Sequence, residues 1–333
     1  MKPTIDRFET KHIPGAAALV AKRYAAMRKL IPALPSSYED PELFASLLHK
    51  LDQRGIGVVA LDGDRLVGFV TGIKIDSFRS FPTWFSPEWA NGAALGNSRT
   101  IYESLYATVA ELWQGEGPVG HLVLQFPFDE EAIDTWSRLG FGMAVGDGVR
   151  ALDSDPVLDS NSLKPDIGGP RGDIVIRRAT SIDREAIHAL IQGLEAHLAA
   201  PPIYLRDHSF STPEEVDEKL ADRSQAVFVA LCDEDTAGYM EIGPASNNAS
   251  TIIRDPGTAS ITGAYIHPSF RRRDLGRELL VRAIDWAREE EYERCAVDFE
   301  SMNIPGYAFW SRHFDLVCVG MFRVLCLGNG NRA

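Results

Sequence analysis

Cysteine is scarce in this chain, and the few cysteines present lack the spacing of a metal or redox site. Cys232, Cys295, Cys318 and Cys326 all lie in the second half, and none forms a closely spaced pair with another. Zinc and dithiol motifs require such pairs. The eight histidines are equally scattered, without an HExxH arrangement. We therefore predict that the cysteines are small apolar core residues and that the protein holds no metal.

Long hydrophobic runs are also missing. No segment approaches the ~20 apolar residues that a membrane-spanning helix needs, and the first residues, MKPTIDRFETKHIPG, lack the apolar stretch of a secretory signal. Hydrophobic residues nonetheless make up 45% of the 333 positions, which is sufficient for globular cores. The sequence thus predicts two ordinary globular domains, a cytoplasmic location and no membrane partner.

Basic residues are in the minority, with 34 lysines and arginines against 47 acidic residues and a net charge of −13. Residues 1–150 hold 15 basic and 18 acidic residues, whereas residues 151–333 hold 19 and 29. Nucleic acids need clustered cations, so we expect no nucleic-acid partner, and the acidity favours a cationic amine as substrate. An exception is the cluster Arg271-Arg272-Arg273 with Arg277, which indicates a specific anion.

The two halves of the chain repeat the same order of elements. Residues 153–173 are rich in Asp, Ser, Pro and Gly and predict a linker between domains at 1–152 and 174–333. The tripeptide Trp136-Ser137-Arg138 recurs as Trp310-Ser311-Arg312, which favours duplication. Each half is predicted to be an α/β domain. Its sheet is expected to be mixed, as in α+β folds, and to be packed against helices. The predicted elements are helices at 12–29, 101–113, 183–199 and 275–288, strand–turn–strand segments at 57–72 and 226–243, and strands at 121–126, 261–266 and 294–299.

The segment ITGAYIHPSFRRRDLGRELL, which starts at Ile261, combines a strand, a basic loop and a helix start. A helix N-terminus offers unpaired N–H groups and about half a positive charge, and Gly276 lets the backbone approach an anion closely. The arrangement predicts a pyrophosphate site. A solvated basic turn is the alternative that the loop alone leaves open.

Together with Asn303 and the pair Phe309-Trp310, this segment resembles the GNAT superfamily of N-acyltransferases. The family pattern is a strand ending in x-V-x-P, an R/Q-x-x-G-x-G/A loop, a helix, a strand, and an Asn followed by an aromatic pair. The resemblance covers residues 174–327, with a weaker echo over 5–150. It implies tandem GNAT-like acyl-CoA N-acyltransferase domains with acetyl-CoA as co-substrate. The coenzyme contacts that it implies are Ala264, Tyr265, Ile266, Arg271, Arg272, Arg273, Asp274, Leu275, Gly276, Arg277, Asn303 and Trp310.

Two departures from the family pattern bear on function. Asp274 stands where the family has its first glycine, and we expect it to cap the helix and to weaken coenzyme affinity. Trp310 stands where many relatives carry a tyrosine proposed to protonate the departing thiolate. An indole N–H cannot serve as that acid.

The resemblance implies direct attack of a neutral amine on the thioester in a ternary complex, with the Ile266 N–H stabilising the oxyanion. Removal of the amine's proton calls for a carboxylate or histidine facing the cleft. Glu241 is the first candidate and Glu300 the second, although either could be a solvated strand residue. Tyr307, one helical turn before Trp310, is the candidate acid, with a core tyrosine as the alternative.

The N-terminal half lacks the RxxGxG loop and has a lone Arg99 in its place. Asp129 or Glu130 falls where Asn303 would be, so we predict lost coenzyme binding and a scaffold role, with one wall of the acceptor pocket as a hypothesis. The leading interpretation is an N-acetyltransferase whose C-terminal domain acetylates a small amine. A non-catalytic acyl-CoA sensor and a partner-binding pseudoenzyme are the alternatives. The sequence is compatible with a homodimer but does not fix the oligomeric state.

Overall fold

The computed structural model of the protein describes residues 3–52, 54–153, 174–205 and 211–325. All but the first residue of the predicted linker lies outside this part of the chain, so the linker stays a prediction. The helices and strands are, in chain order, β1 (Thr4–Arg7), α1 (Ile13–Leu30), α2 (Pro41–Asp52), β2 (Ile56–Asp62), β3 (Arg65–Phe78), β4 (Phe81–Ser86), β5 (Asn91–Ala93), α3 (Ser98–Gln114), β6 (Gly120–Gln125), α4 (Glu130–Arg138), β7 (Gly142–Ala151), β8 (Ile174–Arg178), α5 (Arg184–Ala199), α6 (Pro213–Ala221), β9 (Ala226–Cys232), β10 (Asp235–Pro244), β11 (Thr258–Ile266), α7 (Leu275–Glu289), β12 (Arg294–Glu300), α8 (Ile304–His313) and β13 (Asp315–Val324).

The chain divides into two compact units, and each contains a segment from the other half of the sequence. Unit 1 comprises Met1–Asp147, Ser250–Ile252 and Leu316–Ala333. Unit 2 comprises Gly148–Ala249 and Ile253–Asp315.

Unit 1 is a mixed sheet covered by helices. Strands β1, β2, β3, β4, β6 and β13 follow one another in the sheet, and β5 pairs with β3. The β4–β6 pair is parallel and the β13–β6 pair is antiparallel. The core is rich in aromatic side chains, including Trp84, Tyr102, Trp113 and Trp136, all fully buried.

Unit 2 repeats this plan with the strand order β8, β9, β10, β11, β12, next to which lie the last residues of β7. Strands β8 to β11 pair antiparallel, and β11 and β12 pair parallel. Helices α5 and α6 pack through Ile187, Leu190 and Val216 on Val229 and Tyr239 of the sheet. The predicted mixed α/β sheet is confirmed in both units.

The predicted helices and strands occur because local patterns were sufficient to define them. In α7, Leu275, Leu279, Ala283 and Trp286 recur at helical spacing, and all four are buried. The predicted core cysteines are also found, since Cys232, Cys295 and Cys318 are buried and free, while Cys326 lies outside the described residues. In the ranges that the structure describes, no helix combines the length and apolarity needed to cross a bilayer.

Candidate active site

A cavity of about 450 Å³ lies in unit 2 and is lined by the middle of β10, the end of β11, the start of α7, and parts of α5 and α8. Its volume is within the usual range for a small-molecule site. Arg273 is not in its wall. The other predicted coenzyme contacts all line it, namely Ala264, Tyr265, Ile266, Arg271, Arg272, Asp274, Leu275, Gly276, Arg277, Asn303 and Trp310.

One wall of the cavity is the end of β11, where the sheet opens. The parallel pairing of β11 with β12 ends at Ile261 and Val297, although both strands continue. On its other edge β11 stays paired with β10 through Ile266, and the next N–H, that of His267, donates to the Ala237 carbonyl at 2.9 Å. Successive N–H groups of a strand point to opposite edges. The N–H of Ile266 therefore points to the edge away from β10, where β12 has separated.

The turn between β11 and α7 has a strained backbone. Arg272 and Asp274 both have a left-handed conformation, with φ of 63° and 64°. Asp274 directly precedes the helix, but its carboxylate makes no capping hydrogen bond. The predicted N-cap role of its side chain is therefore wrong. A helix N-cap residue that bonds the first turn has an extended backbone, whereas the left-handed backbone of Asp274 does not support that bond.

Four arginines that line the cavity bring positive charge to it; we call Arg271, Arg272, Arg277 and Arg312 the arginine wall. The Arg271 Nε–H donates to the Ile266 carbonyl at 3.1 Å, and its guanidinium lies 5.5 Å from the centre of the Tyr265 ring. This contact ties the turn to the end of β11. Together with the N-terminus of α7, the arginine wall suits a bound anion.

Beside the arginine wall lies a buried histidine, His313, which is 7% exposed. Burial lowers its pKa to about 4, and the nearby cations of Arg150 and Arg312 act in the same direction. Its Nδ1 has no hydrogen-bond partner among the described residues. At neutral pH this ring therefore adds a neutral polar edge to the cavity.

Asn303, at the start of α8, connects this helix to α5. The Asn303 Oδ1 accepts the Gly306 N–H at 3.3 Å and lies 3.1 Å from the Nε2 of His197. A Cβ at Gly306 would lie 2.6 Å from the Asn303 side chain, so only glycine permits this arrangement. His197 and Asn303 both line the cavity.

The two predicted catalytic side chains lie outside the cavity wall. Glu241 is buried, where its carboxylate accepts from Lys219 Nζ at 2.8 Å and Thr262 Oγ1 at 2.9 Å. The Tyr307 ring packs edge-on against Phe299, with 5.6 Å between the ring centres. Their roles as base and acid stay predictions.

Three further titratable side chains of the cavity, His197, Tyr239 and His313, were not expected from the sequence. Burial raises the pKa of Tyr239, as do the neighbouring carboxylates of Glu241 and Glu195. None of these residues belongs to a local motif, because the cavity brings together segments far apart in the chain.

In unit 1 a buried ion pair connects the corresponding elements. Asp129 caps α4 as Asn303 caps α8, and the caps are 174 positions apart, as are the repeated tryptophans. The Asp129 carboxylate accepts from Arg23 of α1 at 2.7 Å, and both side chains are at most 5% exposed. The same carboxylate accepts from Ser98 Oγ at 2.7 Å. Between Asp129 and Glu130, the structure therefore assigns the position of Asn303 to Asp129.

Comparison with known proteins identifies the family of one segment of the chain. Residues 193–314 match the model of the Acetyltransferase (GNAT) family. No curated protein sequence matches the chain significantly. Among solved structures, a GCN5-related N-acetyltransferase from Sphaerobacter thermophilus is similar over 97% of this chain and 96% of its own, with a TM-score of 0.55 and 13% identity.

Two other similar structures have lower TM-scores. A tandem GNAT protein from the clavulanic acid biosynthesis pathway matches over 96% of this chain and 98% of its own, with a TM-score of 0.45 and 14% identity. An aminoglycoside acetyltransferase from an uncultured soil metagenomic sample matches over 41% and 85%, with a TM-score of 0.33 and 19% identity. The family match covers the residues that line the cavity, including all four residues of the arginine wall. Residues 193–314 thus form a GNAT-family acetyltransferase domain that uses acetyl-CoA as co-substrate.

Proposed function

We propose that unit 2 transfers the acetyl group of acetyl-CoA to a small cationic amine by direct attack in a ternary complex, and that unit 1 binds no coenzyme. The observation that carries this proposal is the cavity itself. It combines a strand end with a free edge, the N-terminus of a long helix and four arginines. A thioester joined to a pyrophosphate needs such a combination.

The parts of the cavity suit different parts of the co-substrate. The arginine wall and the first N–H groups of α7 would hold the pyrophosphate. The opening between β11 and β12 would take the pantetheine arm through unpaired main-chain groups. The N–H of Ile266 would donate to the oxyanion that forms when the amine attacks.

The buried ion pair of unit 1 supports activity in unit 2 alone. Arg23 and Asp129 connect α1 to the start of α4, and Arg23 also donates to the Ala93 carbonyl at 2.6 Å, at the end of β5. Breaking such a pair would leave a buried charge uncompensated, at a cost of about 3–5 kcal/mol. A coenzyme would have to displace it.

Other features of the sequence stay predictions. These are the base role of Glu241, the acid role of Tyr307, the cytoplasmic location and the homodimer. The acidic composition of the C-terminal half favours a cationic acceptor by electrostatic steering.

Calorimetric titration of acetyl-CoA into the intact protein tests the proposal. The titration is repeated with one variant that should bind acetyl-CoA more weakly and one that should bind it more tightly. Arg272→Gly removes a cation and Asp274→Gly removes an anion, and glycine accepts the left-handed backbone at both positions. We expect one site per chain, weakened about fivefold by the first change and tightened about fivefold by the second, since each partly exposed charge contributes about 1 kcal/mol.

Asp233→Gly is the matched control, because Asp233 is an exposed aspartate with φ of 54° in the β9–β10 turn, outside the cavity wall. It should leave the affinity unchanged. Steady consumption of the thioester with a panel of primary amines then tests turnover. No binding, or equal shifts in all three variants, would contradict the proposed coenzyme site.

A further inference from the structure

Acetyl transfer to an amine needs a base, because the ammonium form has no lone pair to attack the thioester. The predicted base, Glu241, is bound by Lys219 and Thr262 and does not line the cavity. His197, in the last turn of α5, does line it and is half-buried. The proposed function assigns no role to this side chain.

The hydrogen bonds of Asn303 determine which ring nitrogen of His197 carries the proton. The Gly306 main-chain N–H can only donate, so the Asn303 atom that it meets at 3.3 Å is the amide oxygen. The same oxygen lies 3.1 Å from the Nε2 of His197. An amide oxygen can only accept, so Nε2 must be the protonated nitrogen.

A neutral imidazole with its proton on Nε2 has a bare lone pair on Nδ1. The Nδ1 of His197 makes no hydrogen bond with any described residue. We propose that His197 is the general base of acetyl transfer, with Asn303 as the positioning residue that fixes its tautomer. This inference rests on the proposed function of unit 2. The arrangement follows the general logic of a base that is oriented by a third group.

His197 would act on the ammonium form of the acceptor. The Nδ1 of His197 takes a proton from the ammonium group of the acceptor and later releases it to solvent. The neutral nitrogen attacks the thioester carbonyl carbon, a C–N bond forms, and the carbonyl electrons move to the oxygen. When they return, the C–S bond breaks, and the remaining extra proton on nitrogen passes to the departing sulfur. The products are the acetylated amine, the free thiol of coenzyme A and one proton.

Unit 1 provides an internal comparison. A basic side chain of α1, Arg23, also contacts a residue that caps another helix. It donates to Asp129, the cap of α4, at 2.7 Å. Arginine does not lose its proton in proteins, so this pair cannot act as a base. Unit 1, which lacks the arginine-rich turn, therefore keeps a contact between α1 and α4. It has no imidazole nitrogen there whose lone pair could accept a proton.

The test must separate His197 from the other charged and titratable groups of the same cavity. The low pKa of His313, at about 4, and the raised pKa of Tyr239 keep both neutral near pH 7. The remaining such groups of the cavity are the arginine wall, Asp274 and Tyr265. The Asp274 carboxylate lies beside the arginine wall.

The tautomer can be measured without turnover. Nitrogen-15 NMR of the intact protein at neutral pH should show a protonated Nε2 and an unprotonated Nδ1 for His197, assigned by loss of the signals in His197→Gln. His188 is the matched control, because it lies on the same helix, is half-buried, bonds the Ser211 carbonyl through Nε2 at 2.9 Å and does not line the cavity. A proton on Nδ1 of His197 would overturn the inference.

Kinetics then test the role as base. In His197→Gln the amide can still donate to Asn303, but no base remains. We expect kcat to fall about 100-fold or more, as for loss of a general base. The KM for acetyl-CoA should stay within about twofold, and the deficit should shrink at pH values above the pKa of the free amine, since the acceptor then arrives unprotonated. His188→Gln should match the parent.

Asn303→Asp provides a second readout that a purely structural role would not move. The carboxylate still accepts both hydrogen bonds but adds a negative charge, which favours the protonated imidazole. The acid limb of kcat/KM for the amine should therefore move to higher pH by about 1 unit. An unchanged limb would contradict the positioning role.

Failure of this inference can be distinguished from failure of the proposed function. If the parent acetylates an amine but Glu241→Gln shows the large deficit and His197→Gln does not, the base is Glu241 and the inference is wrong. A deficit of the same size at every pH, or one that comes with lost acetyl-CoA binding, would also overturn it. If the parent binds acetyl-CoA but acetylates no amine, the proposed function fails and the inference fails with it.

Discussion

At the scale of single residues, buried histidines couple this protein's stability to pH. His121 of β6 is fully buried, with its Nδ1 2.9 Å from the Tyr106 hydroxyl, and burial lowers its pKa to about 4. The positive charge of Arg323 acts in the same direction. His313 shares this lowered pKa. Between about pH 6.5 and 4, the unfolded chain binds protons at these two rings that the folded chain excludes.

We therefore expect the free energy of unfolding to fall as the pH decreases from 6.5 to 4. A histidine with its pKa lowered from 6.5 to about 4 contributes about 2–3 kcal/mol of this loss by pH 4.5. In His121→Gln, the difference in stability between pH 7 and pH 4.5 should shrink by that amount, because an amide can bond the Tyr106 hydroxyl but cannot be protonated. Urea unfolding at both pH values measures it.

A change at a solvent-exposed histidine provides the control. His49, in the exposed part of α2, can be replaced by glutamine without altering a buried ring. This variant should lose as much stability as the parent between the two pH values. An undiminished loss in His121→Gln would mean that the buried ring does not resist protonation.

At the scale of secondary-structure elements, the start of α8 determines the geometry on one side of the cavity. Asn303 caps the helix, and Gly306 lies in its first turn with no side chain to displace the cap. Alanine at this position would raise intrinsic helix propensity by about 1 kcal/mol. Its Cβ would, however, lie within 2.6–3.2 Å of three side-chain atoms of Asn303.

Gly306→Ala therefore separates helix stability from the function of the cap. We expect it to displace the Asn303 side chain, to break the contact with His197 and to lower kcat by about 10-fold or more, even if the melting temperature is unchanged or higher. Steady-state kinetics measure kcat, and a thermal melt of the same sample measures the melting temperature. Because α4 has Ala132 where α8 has Gly306, Ala132→Gly is the matched control in unit 1 and should leave kcat unchanged.

At the scale of the whole molecule, each compact unit depends on a strand from the other half of the sequence. In unit 1, β13 pairs with β6 from Val319–Gln125 to Val324–Gly120, and Val317, Cys318 and Met321 are almost fully buried. In unit 2, the strand from the other half is the end of β7. Leu152, which directly follows β7, donates its N–H to the Glu293 carbonyl at 3.0 Å. Leu152 also accepts from Arg288 Nε at 2.8 Å through its own carbonyl.

This exchange predicts that the two halves of the chain fold only together. Residues 1–153 and 174–333 produced as separate chains should each aggregate, because β13 or the end of β7 would expose buried apolar surface and unpaired backbone groups. Co-expression should give a 1:1 complex that binds acetyl-CoA like the intact protein, as measured by size-exclusion chromatography and calorimetry. A monomeric, folded 174–333 fragment with full affinity for acetyl-CoA would contradict this expectation. If that fragment also kept full activity, the hypothesis that the N-terminal half forms a wall of the acceptor pocket would be wrong.

The sequence by itself determined the elements, the repeat, the fold class and the turn before α7. These features depend on apolar spacing, turn residues and motifs within short segments, for which neighbouring residues carry the information. It therefore placed Arg271, Gly276 and Asn303 correctly on their elements. The conformation of Asp274 escaped it, because a left-handed residue other than glycine has no reliable local pattern.

Only the tertiary structure decided which of these residues meet. His197 and Asn303 are 106 positions apart, the carboxylate of Glu241 is bound by Lys219 and Thr262, and β13 joins the sheet of unit 1 rather than that of unit 2. Such contacts result from packing and hydrogen bonding between distant segments, which compete for the same partners. Neither periodicity nor spacing along the chain records the outcome of that competition.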